Sequence, residues 1–174
     1  RQIDEIARGL IVAFSESDQS SVPVAPDIAG LFTYAGGPGL PPDGLVADGL
    51  AMSLRVNPNA DPDQGGVLAR IRDGGIGAPG NPAYVYNTGG TSGFSDRLRD
   101  LAAMMSQAQT FAPATGLATS TSLLGLSSTS AGWVEGQRST AHSQLEDREV
   151  LGERALSAWQ GRIGVNLDEE LAHM

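Results

Sequence analysis

Residues 122–164 read SLLGLSSTSAGWVEGQRSTAHSQLEDREVLGERALSAWQGRIG, and this stretch decides the fold. It contains no proline, and Ala131, Val134, Ala141, Leu145, Leu156, Trp159 and Ile163 recur in it at helical spacing. Glu135, Arg138, Asp147, Arg148, Glu153 and Arg154 fill positions between them, so the pattern predicts one long helix packed along a single apolar stripe. Arg138, Glu149 and Gly152 interrupt a strict 3.5-residue repeat, which favours a bundle with partner helices over a self-sufficient coiled coil. Gly132 and Gly136 lie four apart on one face, each costing the helix about 1 kcal/mol relative to alanine. They fit either a close helix crossing or the chain's general richness in glycine.

Two shorter segments have the periodicity of partner helices. In residues 1–14, Ile3, Ile6, Leu10 and Ala13 share a side, and Asp4 and Glu5 sit early, where the helix dipole favours acids. From Phe94, Ser95 is placed to cap a helix whose apolar face is Leu98, Leu101, Ala102, Met105 and Ala108, ending before Pro113. Pro23 and Pro26 stop the first of these helices near Glu16. Beyond them the chain is punctuated by turn clusters at Gly36-Gly37-Pro38-Gly39, Pro41-Pro42-Asp43-Gly44, Ala78-Pro79-Gly80-Asn81-Pro82 and Gly89-Gly90. Short strands are expected at residues 31–34, 84–86 and 51–56, the last with Met52, Leu54 and Val56 alternating with Ser53 and Arg55. A short helix is expected within residues 67–72, after the Asp61-Pro62-Asp63 start signal. The runs Ser120-Thr121-Ser122 and Ser127-Ser128-Thr129-Ser130 read as a polar face of the long helix.

The expected fold is therefore mainly α: an elongated bundle of three main helices with a Gly/Pro-rich, partly β insertion. Residues 1–16 and 94–174 form its discontinuous helical core, and residues 17–93 form the insertion. The chain's 174 residues suffice for one hydrophobic core, and 40% hydrophobic content excludes a disordered polymer, while 23 glycines and 10 prolines require long irregular connections. A net charge of -9 disfavours nucleic acid and anionic membranes as partners. The absence of cysteine excludes disulfides and thiolate metal sites. No apolar run approaches the roughly 20 residues of a membrane span. All eleven basic residues are arginine, which we attribute to genome composition.

The chain closes on Gly164-Val165-Asn166-Leu167-Asp168-Glu169-Glu170. Gly164 suits the end of the long helix, and Asn166 with Glu169 three residues on suits the cap of a new one, with Asp168 in its first turn. Only eight residues follow Asn166, fewer than the roughly 12 to 15 an isolated helix needs. With Arg1 in place of an initiator methionine, this makes the chain read as a piece of a longer protein, cut inside a helix.

Residues 154–174, above all Gly164-Val165-Asn166-Leu167-Asp168-Glu169-Glu170-Leu171-Ala172, resemble the C-terminal signature of the bacterial flagellar hook-associated protein 1 family, the hook-filament junction proteins. Ile3-Asp4-Glu5-Ile6-Ala7 resembles the end of that family's N-terminal core helices, and Trp133-Val134-Glu135-Gly136-Gln137-Arg138 resembles its C-terminal core helix. The resemblance implies a non-enzymatic axial protein, exported through the flagellar type III apparatus and self-assembling outside the cell between hook and filament. Its implied partners are further copies of itself, the hook protein, the second junction protein and an export chaperone, with no cofactor or metal. Val165, Asn166, Leu167, Asp168, Glu169 and Glu170 become assembly candidates, with Trp133 and Trp159 as helix-packing anchors. The alternatives are another flagellar axial protein, the second junction protein or the hook protein, and, from a different class, an extracellular binding or adhesion module whose insertion recognises a ligand.

Signals for chemistry are weak. His142 and Glu146 are one helical turn apart, but two ligands do not close a metal site. Gly89-Gly90-Thr91-Ser92-Gly93 lacks the lysine of a phosphate-binding loop and reads as a turn. No serine sits in a nucleophile elbow, and no carboxylate pair has the apolar setting that would separate its pKa values.

Overall fold

The computed structural model describes residues 1–163 and 171–172. The chain divides into two compact units, Arg1–Ser130 and Ala131–Met174. The first begins with helix α1 (Gln2–Ala13), whose opening turn carries Asp4 and Glu5. Ala7 and Ile11 enter one apolar cluster with Ala29 and Leu50, flanked by Phe32, Tyr34 and Leu54. Ile6 and Leu10 enter a second, built on Phe111, Leu123 and Leu126. Helix α1 is thus enclosed by its surroundings, with Glu5, Arg8 and Gly9 buried beside Ala7 and Ile11. Ile3, grouped by spacing with Ile6, Leu10 and Ala13, is instead 69% exposed. Glycine at position 9 permits the enclosure: a Cβ there would lie 2.8 Å from Leu123 Cδ1 and 3.0 Å from Phe111 Cε1.

Helix α1 ends with the Phe14 and Ser15 amides donating to the Leu10 and Val12 carbonyls, and the Phe14 ring meets Phe32 edge-on, centroids 5.2 Å apart. The expected strand at residues 31–34 forms as β1 (Phe32–Thr33). It pairs antiparallel with β2 (Arg55–Val56), Phe32 opposite Val56 and Thr33 opposite Arg55. Residues 51–56 do not form one strand, because residues 50–53 coil into the helical turn α2 (Leu50–Ser53) and leave Met52 93% exposed. The cause is distant in sequence: the Asp4 carboxylate accepts from the Ala51 amide at 3.0 Å, supplying α2 with a cap that Gly49 cannot.

The start signal at Asp61 caps a 3₁₀ turn, Pro62–Gln64, and the short helix forms just beyond it as α3 (Arg70–Asp73). Residues Pro82–Tyr84 are a 3₁₀ turn capped by the Asn81 side chain, so the strand expected at 84–86 reduces to one bridge, between Gly74 and Val85. Helix α4 spans Asp96–Met104. Ser95 does not cap it with its side chain, the Ser95 hydroxyl instead accepting from Arg99 Nη2 at 2.7 Å. A hairpin follows, unforeseen: β3 (Ala108–Thr110) pairs with β4 (Ser120–Ser122), Gln109 opposite Thr121. Ser120-Thr121-Ser122 is therefore strand and not helix face. Helix α5 (Leu123–Ile163) leads directly out of β4.

The three-helix bundle does not form. The described residues hold five helices, two of them single turns, and two small antiparallel sheets. Helix α4 buries Arg97 and leaves Leu98 and Met104 more than 40% exposed, so it has no apolar face to give a bundle. Helix α5 contributes Leu123 and Leu126 to a core, yet every residue from 131 to 162 is exposed, including the stripe residues Val134, Leu145, Leu156 and Trp159. The expected apolar stripe of α5 is weak, because Arg138, Arg148 and Glu149 fall among its apolar residues and leave the helix with almost no one-sided bias.

This predicts a split response to truncation. Phe111→Ala, at a fully buried ring, is expected to cost about 3–5 kcal/mol in urea unfolding. Leu156→Ala, on the uncovered helix, is expected to stay within about 0.5 kcal/mol for monomeric protein. Equal effects would contradict this division of the fold.

Candidate functional site

The polar framework of the first unit is built on two buried carboxylates. Glu5 Oε1 accepts from Arg8 Nε at 2.9 Å and from the Ala112 amide at 2.8 Å. Arg8 also donates through Nη1 to Asp43 at 2.6 Å and through Nη2 to the Thr110 carbonyl. Glu16 Oε1 accepts from Arg97 Nη2 at 2.9 Å and from the Ile76 amide at 3.1 Å, and its Oε2 accepts from the Gly77 amide at 2.8 Å. Helix α1 and the residues just after it are so fastened to the 41–44 turn, the 76–77 turn, α4 and the β3 end.

A cleft of about 450 Å³ opens beside this framework. Its apolar lining includes Val12, Leu101 and Met104, and its charged lining is Arg97, Asp27 and Asp100. Arg97 is 3% exposed, and its guanidinium carbon lies 4.0 Å from the centre of the Tyr86 ring. With one nitrogen on Glu16, its Nε and Nη1 find no acceptor among the described residues. Asp27 and Asp100 form no ion pair among the described residues, so Glu16 cancels the Arg97 charge and the cleft retains an acidic excess.

Asp18 organises the 18–25 loop, accepting from the Ser20, Val24 and Ala25 amides at 2.8, 2.9 and 2.9 Å. The Ser20 side chain and these amides hold its carboxyl well below the usual carboxylate range. In the same direction, the Arg72 guanidinium depresses Asp73, assisted by the Asn87 amide and opposed by burial.

Helix α5 supplies the other prominent surface. Trp133 and Trp159 are 50% and 62% exposed, among exposed Val134, Leu145, Leu151 and Leu156. At 3.6 residues per turn, Arg148, Leu151, Ala155, Ala158, Trp159 and Arg162 share one side, while Glu146, Glu149 and Glu153 share the opposite one. Ala155, Ala158, Trp159 and Arg162 line a common shallow depression. The candidates Val165, Asn166, Leu167, Asp168, Glu169 and Glu170 lie outside the described residues.

The weak chemical signals resolve as ordinary surface features. His142 Nε2 lies 3.3 Å from Glu146 Oε1 on an exposed helix face, and no group of three metal-ligating side chains occurs among the described residues. The loop at Gly89-Gly90-Thr91 is tied by Asn87, which donates to the Thr91 carbonyl at 2.9 Å and accepts from its amide at 3.1 Å. Its polar groups therefore serve the turn. No described helix is long and apolar enough to cross a membrane. The pairings of the framework residues escaped the sequence reading: Glu5 and Arg8, three apart on a helix, have the spacing of a solvated pair, and Glu16 and Arg97 lie too far apart in sequence to leave a local signal.

Arg97→Met would leave Glu16 buried without its countercharge and is expected to destabilise by about 3–5 kcal/mol, with Glu16→Gln in the same chain recovering part of the loss; full stability in Arg97→Met alone would refute the pairing. Asp18 titrates lower folded than unfolded, so its contribution is present above the unfolded value of about 3.9 and is lost as pH falls below it. Urea midpoints measured from about pH 5 to pH 2 should drop less steeply for Asp18→Ala than for the parent; an unchanged acid limb would count against this. No family model matches the chain, nor does any curated protein or solved structure.

Proposed function

We propose that this chain is a structural axial subunit of the bacterial flagellum, joining hook to filament by self-assembly outside the cell after export through the flagellar type III apparatus. The observation that carries this reading is the run of exposed residues from 131 to 162 in α5, with Trp133, Val134, Leu145, Leu151, Leu156 and Trp159 uncovered along it. Helices draw most of their stability from packing an apolar face, and contiguous exposed apolar surface marks an interaction site. A subunit of a polymer satisfies both requirements by meeting its neighbours. The likeness of residues 154–174 to the junction-protein signature gives the polymer its identity, and the hook protein, the second junction protein and an export chaperone follow as partners. The first unit, braced by buried ion pairs, serves this role as a rigid body and carries no chemistry.

The test is co-sedimentation with purified hook polymers, using this chain and a longer version that carries the terminal helices implied by the resemblance. The longer version is expected to pellet with hook and to be released when Trp159 and Leu156 are both changed to serine. If neither version pellets with hook, the junction assignment fails, and the exposed helix belongs to some other assembly.

A further inference from the structure

We propose that the cleft beside Arg97 receives the arginine-bearing side of α5 from a second copy of this chain, a contact that rests only on the self-assembly part of the reading above. The cleft and the helix are complementary in charge and in surface type. Asp27 and Asp100 line the cleft without ion-pair partners, and Val12, Leu101 and Met104 give it an apolar lining. On α5, Arg148 and Arg162 end a stripe of Leu151, Ala155, Ala158 and Trp159, and neither arginine forms an ion pair among the described residues. The three glutamates of this stretch, Glu146, Glu149 and Glu153, fall on the far side and Asp147 lies at the stripe's edge beside Ala158, so the charges within the stripe itself are Arg148 and Arg162, in a chain whose net charge is -9.

Size and shape agree as well. Ala155 and Ala158 allow the helix backbone to approach closely, with exposed Trp159 beside them as a large anchor. A volume of about 450 Å³ accommodates such an anchor together with an arginine stem. Helices recognised through one apolar face bind in grooves of this kind. Because the helix side and the cleft are different surfaces, the contact is heterologous, and each bound copy leaves a cleft and a helix free for the next. The geometry therefore adds subunits head to tail.

Sedimentation equilibrium and tryptophan emission test this with four exposed residues, whose changes should leave the far-UV circular dichroism intact. Trp133→Phe first makes Trp159 the sole tryptophan. The chain is expected to associate as concentration rises, with a blue shift of Trp159 emission that follows the association. Asp27→Arg with Asp100→Arg, or Arg148→Glu with Arg162→Glu, should each weaken association about tenfold or more. Mixing these two reversed chains should restore it, since the basic cleft of one then meets the acidic helix of the other. The inference is overturned if the chain stays monomeric up to about 1 mM, if either reversal leaves association unchanged, or if the mixture remains weak. A blue shift independent of concentration overturns it too, since the helix face would then be covered within a single chain. Hook co-sedimentation reports separately: a chain that associates through this contact and ignores hook keeps the inference while the junction assignment fails.

Discussion

Two carboxylates without solvent exposure, Glu5 and Glu16, set the terms on which the rest of the first unit folds. A buried charge is tolerated only when its partners are close and well aimed, so Glu5 draws the arginine one turn on and one remote backbone amide, and Glu16 draws an arginine and two amides from remote parts of the chain. Glu5 gathers Arg8 and the amide of Ala112, and Glu16 gathers Arg97 with the amides of Ile76 and Gly77. In a chain with only 5% aromatic residues and 23 glycines, these contacts fix long irregular segments that hydrophobic burial alone would leave loosely placed. Ion pairs of this kind contribute little net stability, and their value lies in admitting one arrangement and penalising the others.

That framework also explains what the sequence makes legible. Helices α1 and α5 stand out because their proline-free lengths are local properties, and α1 ends at Ala13, close to the expected stop near Glu16; the end suggested by Gly164 lies outside the described residues. The 51–56 segment misleads for a specific reason: its alternation is genuine, but Asp4 captures the Ala51 amide, and a cap from 47 residues away leaves no trace in local pattern. The β3–β4 hairpin is obscured because its second strand is made of serine and threonine and runs straight into α5. Arg97 sits in an otherwise ordinary amphipathic stretch, and only Glu16, far upstream, makes it the buried side of α4. The assembly candidates after Gly164 rest on the family resemblance alone.

The long helix teaches a related lesson about hydrophobic stripes. Spacing suggests an apolar side for α5, but charged residues within the stripe leave the helix almost without one, and spacing says nothing of what meets it. Inside one chain the natural expectation is a bundle, and here that expectation fails because α4 offers an arginine where a bundle needs leucines. The first turns of α5 are tied down through Leu123, Leu126 and the Ser130 hydroxyl, which donates to Gln2 Oε1 at 2.8 Å. Beyond them, the helix can be completed by a partner without disturbing the core that holds its start.

Charge then decides which partner. Copies of a chain with a net charge of -9 repel one another at most orientations, so an association surface has to be one where that repulsion reverses. A basic stripe and an acidic cleft meet this condition as a pair, and turning the helix about its axis brings Glu146, Glu149 and Glu153 toward Asp27 and Asp100 instead. Like charges brought together in a contact cost far more than an exposed pair of opposite charges gains. The chain's acidity therefore selects the docking geometry, and the apolar residues between the arginines supply the adhesion once that geometry is reached.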